Sequence, residues 1–89
     1  MYENITVIRG ESLDYTMPQT EYDLSAAELT MIVGGDDLSE YVSGDANGYV
    51  RIQIDDTSEM LVGEDRFYIK LGSSELLFRG SFYIEDIVK

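Results

Sequence analysis

The feature of this sequence that most restricts its fold is the alternation of apolar and polar residues at every second position. The alternation is clearest in segment 49–54, which reads Tyr-Val-Arg-Ile-Gln-Ile. A period of two places successive side chains on opposite faces of a β-strand, whereas an amphipathic helix needs a period of 3.6. No long segment of helical period competes with this pattern, so the sequence predicts an all-β fold.

The same alternation predicts most of the remaining strands. They lie at 3–8, 12–17, 28–34, 65–71 and 75–87, with a short edge strand at 38–42. Pro18 ends the second strand, Asn47-Gly48 suits a hairpin turn, and Gly80 predicts a bulge or bend in the last strand. Six or seven short strands with turns every eight to twelve residues indicate an antiparallel sandwich or a small barrel.

Segment 56–62 interrupts the alternation. Asp56 or Thr57 can cap one short helical turn there, and Gly63 can end it. A chain of 89 residues forms a single domain, spanning 1–89, with no room for a second core. Because the chain has no cysteine, this domain must be held by packing alone, or by packing together with partner subunits.

The charge of the chain is strongly acidic, with a formal net charge of −12. Such a charge disfavours direct binding to nucleic acid, because the complex would add like-charge repulsion. The acidity indicates either a solvated surface or an acidic face for a basic partner. The chain also has no signal sequence and no apolar run long enough to span a membrane, so we expect it to be made in the cytoplasm and not to act at a membrane.

Catalytic chemistry has little support in the composition. The chain has neither histidine nor cysteine, which removes the commonest general base and the best side-chain nucleophile. A pair of carboxylates remains available, but nothing marks two of them as desolvated. Gly34-Gly35 precedes two aspartates, which would repel a phosphate group. We therefore expect no enzymatic activity and no cofactor.

The acidic loops contain a weak candidate for calcium binding. It consists of Asp36, Asp37, Asp45 and Asn47, whose oxygen atoms are of the type that Ca²⁺ prefers. An EF-hand alignment fails, because Ile54 takes the position that requires a bidentate glutamate. Hydrogen-bonded turns are the expected role of these residues, and no metal site is predicted.

Aromatic and cationic residues on the strands give the candidates for a protein interface. Phe67, Phe78 and Phe82 have the phase of the core, whereas three tyrosines have the outward phase. The interface candidates are Tyr49, Tyr68, Tyr83, Arg51 and Arg79. Tyrosine and arginine are enriched in protein interfaces, although tyrosines on a sheet also pack across neighbouring strands.

Four segments in a fixed order carry a resemblance to a known family. They are 5–13 (ITVIRGESL), 22–31 (YDLSAAELTM), 50–63 (VRIQIDDTSEMLVG) and the pair 67–71 (FYIKL) and 77–84 (LFRGSFYI). This order resembles small Ig-like modules of tailed bacteriophages, such as the amino-terminal domain of baseplate upper proteins and head- or tail-fibre attachment domains. Ala26 departs from the pattern, since glycine is common there.

The resemblance implies an Ig-like antiparallel β-sandwich and a non-enzymatic structural protein of the virion, assembled in the host cytoplasm. It implies either a capsid decoration (cement) protein or a small head or tail adaptor. Its partners would be capsid or tail subunits, and it would act as a homo-oligomer or in many copies on a lattice. With no fibre or receptor-binding domain after residue 89, the expectation leans towards the capsid.

Two alternatives remain at this point. Segment 10–50 has nine acids and no base, which suggests an acidic DNA mimic that inhibits a nucleic-acid-binding host protein. A calcium- or carbohydrate-binding module is the other alternative, and a ligand-induced rise in melting temperature would indicate it.

Overall fold

The computed structural model describes residues 2–72 and 74–86, and within them the prediction of an all-β fold is confirmed. The eight strands are β1 (Tyr2–Ile8), β2 (Leu13–Thr16), β3 (Leu29–Val33), β4 (Asp36–Asp37), β5 (Val42–Gly44), β6 (Val50–Ile54), β7 (Gly63–Leu71) and β8 (Glu75–Glu85). The predicted last strand continued to residue 87, which lies outside the described residues. Among those residues the longest helix is a 3-10 turn at Ser39–Tyr41, and none could span a membrane.

The strands form two sheets. The larger sheet has the order β1-β8-β7-β3-β4, and the smaller sheet has the order β2-β6-β5. The pairings are antiparallel, as predicted, except that of β1 with β8, which is parallel. Alternation reports which face of a strand is buried, but it carries no information about the partner strand or its direction.

One core fills the space between the two sheets. Val50, Ile52 and Ile54 of β6 are at most 3% exposed, as the alternation predicts. Each of the three phenylalanines is 1% exposed, and the rings of Phe67 and Phe82 meet edge to face with 6.4 Å between their centroids. Burial of such a side chain contributes about 1.5–3 kcal/mol, so the core supplies the main stabilising term.

Gly80 has a different role from the predicted bulge. It lies inside the continuous strand β8, and the register shift between β7 and β8 falls at Ile69/Lys70 instead. A Cβ atom on Gly80 would stand 1.6 Å from the carbonyl oxygen of Glu3 on β1. The glycine therefore allows β1 to approach β8 closely enough to pair with it.

Two predicted elements differ in the structure. The predicted edge strand 38–42 is wrong: the 3-10 turn at Ser39–Tyr41 occupies most of it, between the short strands β4 and β5, and the described strands number eight. The predicted helical turn at 56–62 is wrong: the loop has one hydrogen-bonded turn, in which the Met60 amide donates to the Thr57 carbonyl at 3.0 Å. Thr57 is fully buried, and its hydroxyl group binds the backbone of Gly10 and Glu11 instead of capping a helix.

Candidate protein-binding face

The outer face of the larger sheet combines cations with aromatic side chains. We call it the cationic tyrosine face and define it by Tyr2, Arg66, Tyr68, Lys70, Leu76 and Arg79, all of which line one concavity of about 870 Å³. This face forms because alternate residues of β7 and β8 point away from the core. Tyr83, which is 37% exposed, has the same outward phase farther along β8.

Sheet register brings the central members of this face into one row. Arg79 of β8 lies opposite Tyr68 of β7 on one side and opposite Tyr2 of β1 on the other. Ile32 of β3 extends the row beyond Tyr68. Neighbouring strands lie about 4.8 Å apart, so four side chains from four strands form a continuous strip in which Arg79 lies between Tyr2 and Tyr68.

The cations of the cationic tyrosine face have no ion-pair partner among the described residues. The two salt bridges found there join Arg9 to Asp86 and Arg51 to Asp14. The Nζ atom of Lys70 lies 5.1 Å from the centroid of the Tyr68 ring, in a cation–π contact that keeps both groups at the surface. A chain of net charge −12 thus presents three cations on this face that form no salt bridge within the described residues, and Glu64 is the carboxylate that lines the same concavity.

The apolar groups of the face are accessible to a partner. Tyr2 is 60% exposed, Leu76 is 47% exposed and Tyr68 is 37% exposed. Tyrosine and arginine are enriched among the few residues that dominate the binding energy of protein interfaces. The arrangement is therefore suited to binding a surface that carries carboxylates beside apolar side chains.

The five predicted interface residues do not share one surface. Tyr68, Tyr83 and Arg79 lie on the outer face of the larger sheet, whereas Tyr49 and Arg51 belong to the smaller sheet and its turn. Arg51 also binds Asp14 in a bidentate pair, with Nε–Oδ1 and Nη2–Oδ2 distances of 2.8 and 2.5 Å. This hydrogen bond from Arg51 lowers the pKa of Asp14 below its usual value, and the pair leaves Arg51 less available to a partner.

The weak calcium candidate gains no support. Asp37 accepts hydrogen bonds from the Ser39 amide and hydroxyl at 2.9 and 2.6 Å, and Asp45 accepts from the amides of Asn47 and Tyr49. Asp36 is exposed on β4. In the part of the chain that the structure describes, no three acidic side chains gather as metal ligands would.

A repeated Asp-x-Ser pattern explains part of the acidity. Asp23, Asp37 and Asp56 each accept a hydrogen bond from the amide of the serine two residues later, at 2.8–3.0 Å. These bonds with serine lower the pKa of all three carboxyl groups. The middle residue turns inward each time, and Leu24 and Thr57 are the buried examples. These aspartates are ionised turn formers, which does not suit them to proton transfer.

Four residues of the cationic tyrosine face were not predicted as interface residues: Tyr2, Arg66, Lys70 and Leu76. Two of them carried a usable signal, since Arg66 and Lys70 lie two residues either side of Tyr68 and therefore share its outward phase. Tyr2 and Leu76 gave no such signal. Their places depend on the parallel pairing of β1 and on the register shift within β8.

No family model matches this chain, and no curated protein matches it significantly.

Proposed function

We propose that this chain is a non-catalytic structural module of a tailed-bacteriophage virion that binds neighbouring subunits through the cationic tyrosine face. The observation that carries the proposal is the exposed row of Tyr2, Arg79 and Tyr68. Within the described residues, Arg79 forms no salt bridge. Such a row has the composition of an interface centre, where aromatic and arginine side chains dominate the binding energy.

The strand order supports the Ig-like part of the proposal. In immunoglobulin domains one sheet contains strands B, E and D, and the other contains G, F and C, with C′ at its edge in variable-type domains. The order β2-β6-β5 corresponds to B-E-D, and β8-β7-β3-β4 corresponds to G-F-C-C′. The parallel pairing of β1 with β8 adds a further strand beside G.

The virion part of the proposal rests on the ordered segments of the sequence. In the structure these segments contribute to the strands of the sandwich: 5–13 contains part of β1 and its turn, and 22–31 ends in β3. Segment 50–63 contains β6 and the following loop, and 67–71 and 77–84 lie in β7 and β8. They are therefore the parts of the chain that a shared fold would constrain. The proposal covers a capsid decoration protein and a head or tail adaptor, which differ in copy number.

The acidic DNA mimic is the weaker alternative. A mimic needs carboxylates spaced like phosphates over one continuous face. The larger sheet instead presents Arg66, Lys70 and Arg79 on its outer face. Three aspartates are also engaged in turns, where their positions follow backbone geometry.

Quantitative mass spectrometry of purified particles tests the proposal. The particles are those produced by the genome that encodes this chain, and the major capsid protein serves as the internal standard. We expect the chain to remain with the particles through density-gradient purification. Hundreds of copies per particle would place it on the shell, and about three to twelve would place it on the tail axis. Absence from purified particles would contradict the proposal.

A further inference from the structure

The loop between β6 and β7 exposes the most accessible large apolar side chain in the described residues. Leu61 is 85% exposed and its neighbour Val62 is 44% exposed. The loop is nevertheless anchored, because Thr57 is fully buried and Met60 packs against the core. Leu61 is thus presented on a fixed support, and a preorganised segment loses less entropy on binding than a mobile one.

The same loop is acidic. Asp55, Asp56 and Glu59 are all exposed, and the loop has no basic residue. It therefore offers carboxylates beside apolar side chains, which is the chemistry that the cationic tyrosine face is suited to bind. We propose that the 55–62 loop of one copy docks onto the cationic tyrosine face of a second copy. The inference rests on the proposed function, since it names the neighbouring subunit that occupies this face.

The geometry of β7 keeps the 55–62 loop away from the centre of the cationic tyrosine face of the same chain. The loop joins β7 at Gly63, which lies opposite Ile84 near the end of β8. Tyr68 is five residues further along the same strand, or about 17 Å at 3.4 Å per residue. Because the strand holds the loop and the centre of the face apart, only another molecule can bring them together.

The proposed contact joins two different surfaces, so it is heterologous. Heterologous contacts close into rings or continue as open arrays, in either case with every copy using both surfaces. An interface at the lower end of the specific range would bury about 600 Å² on each partner, roughly a tenth of the 5732 Å² surface. Both copies carry net charge −12, but repulsion between remote acids is screened beyond about 8 Å at physiological ionic strength, whereas contacting pairs are screened less.

Three double variants separate the two halves of the contact. The face variant is Arg66→Gln with Arg79→Gln, and the loop variant is Leu61→Ser with Val62→Ser. The matched control, Thr16→Glu with Ser43→Glu, changes the net charge by the same amount as the face variant but lies on the smaller sheet. All six positions are exposed. Circular dichroism and thermal unfolding check that each variant folds. A double variant that failed to fold would be replaced by a single one: Arg79→Gln for the face, Leu61→Ser for the loop or Ser43→Glu for the control.

Sedimentation velocity from about 10 µM to about 1 mM protein provides the readout. We expect the wild-type chain and the control to form larger species as concentration rises, and each of the other variants alone to remain monomeric. An equimolar mixture of face and loop variants should form a 1:1 dimer and nothing larger, because each keeps a different half of the contact.

Three results would overturn the inference. They are a mixture that stays monomeric while the wild-type chain associates, a face or loop variant that associates like the wild type, and a wild-type chain that is monomeric throughout. The last result would leave the proposed function standing, because its own readout is presence in the particles.

Discussion

Thr57 shows how one polar side chain fixes two segments that are distant in sequence. Its Oγ1 atom accepts a hydrogen bond from the Gly10 amide at 2.9 Å and donates one to the Glu11 carbonyl at 2.6 Å. The side chain is fully buried, so both backbone groups depend on it for a partner. Through these bonds the 55–62 loop is attached to the turn between β1 and β2.

Replacing Thr57 with valine tests this role. Valine keeps the shape of threonine but leaves the Gly10 amide and the Glu11 carbonyl without their hydroxyl partner, so we expect a loss of about 1–3 kcal/mol in the free energy of unfolding. Urea denaturation monitored by tyrosine fluorescence measures it. Thr57→Ser, which keeps the hydroxyl group, serves as the control and should lose less. A valine variant as stable as the wild type would show that the hydrogen bonds are not needed.

Asp14 provides a test of pH dependence. Its pKa is lowered in the folded state, chiefly by the hydrogen bond from Arg51. A lowered pKa in the folded state stabilises the protein above the unfolded pKa of about 3.9, and this contribution is lost as the pH falls through the folded value. We expect Asp14→Asn to be less stable than the wild type near pH 6, and the difference to shrink as the pH falls below about 4. Urea titrations at several pH values measure it. A difference that is independent of pH would contradict the assignment.

At the scale of elements, the pairing of β1 with β8 depends on a single missing side chain. Gly80 meets the backbone of Glu3, so Gly80→Ala must push β1 outwards or break part of the pairing. We expect a loss of more than about 2 kcal/mol, measured by thermal or urea unfolding. The control is Ser81→Ala in the same strand. This change shortens a half-buried side chain and adds no atom that could push β1 outwards. Equal stability of the two variants would contradict the close approach of the strands.

The strands differ in how well the sequence predicts them. Alternation correctly identifies the buried face in β6, β7 and the second half of β8, because each has one face in the core and the other in solvent. Segment 38–42 was predicted as a short edge strand, but local hydrogen bonding determines its structure. Asp37 binds the amide and hydroxyl of Ser39, while the Ser39 hydroxyl also accepts from the Met31 amide at 3.0 Å. The Asp-x-Ser spacing was the available signal.

At the scale of the whole molecule, the proposed binding role depends on where the charges lie. Acids are spread over turns, strands and the 55–62 loop, whereas Arg66, Lys70 and Arg79 lie together on one face of the larger sheet, with Glu64 beside them. The sequence gives the outward phase of Tyr68, Tyr83 and Arg79. It cannot show that Tyr49 and Arg51 lie on the other sheet, because membership of a sheet depends on pairing between distant segments.

The most direct test of the central claim is the incorporation of variants into particles. The face variant, Arg66→Gln with Arg79→Gln, and the matched control, Thr16→Glu with Ser43→Glu, are each expressed with the wild-type chain during particle assembly. Mass spectrometry then gives the ratio of variant to wild-type peptides in purified particles. Each arginine at an interface centre is worth more than about 1 kcal/mol, so we predict that the face variant falls at least about tenfold while the control stays near its expressed ratio. Equal incorporation of the two variants would contradict a binding role for the cationic tyrosine face.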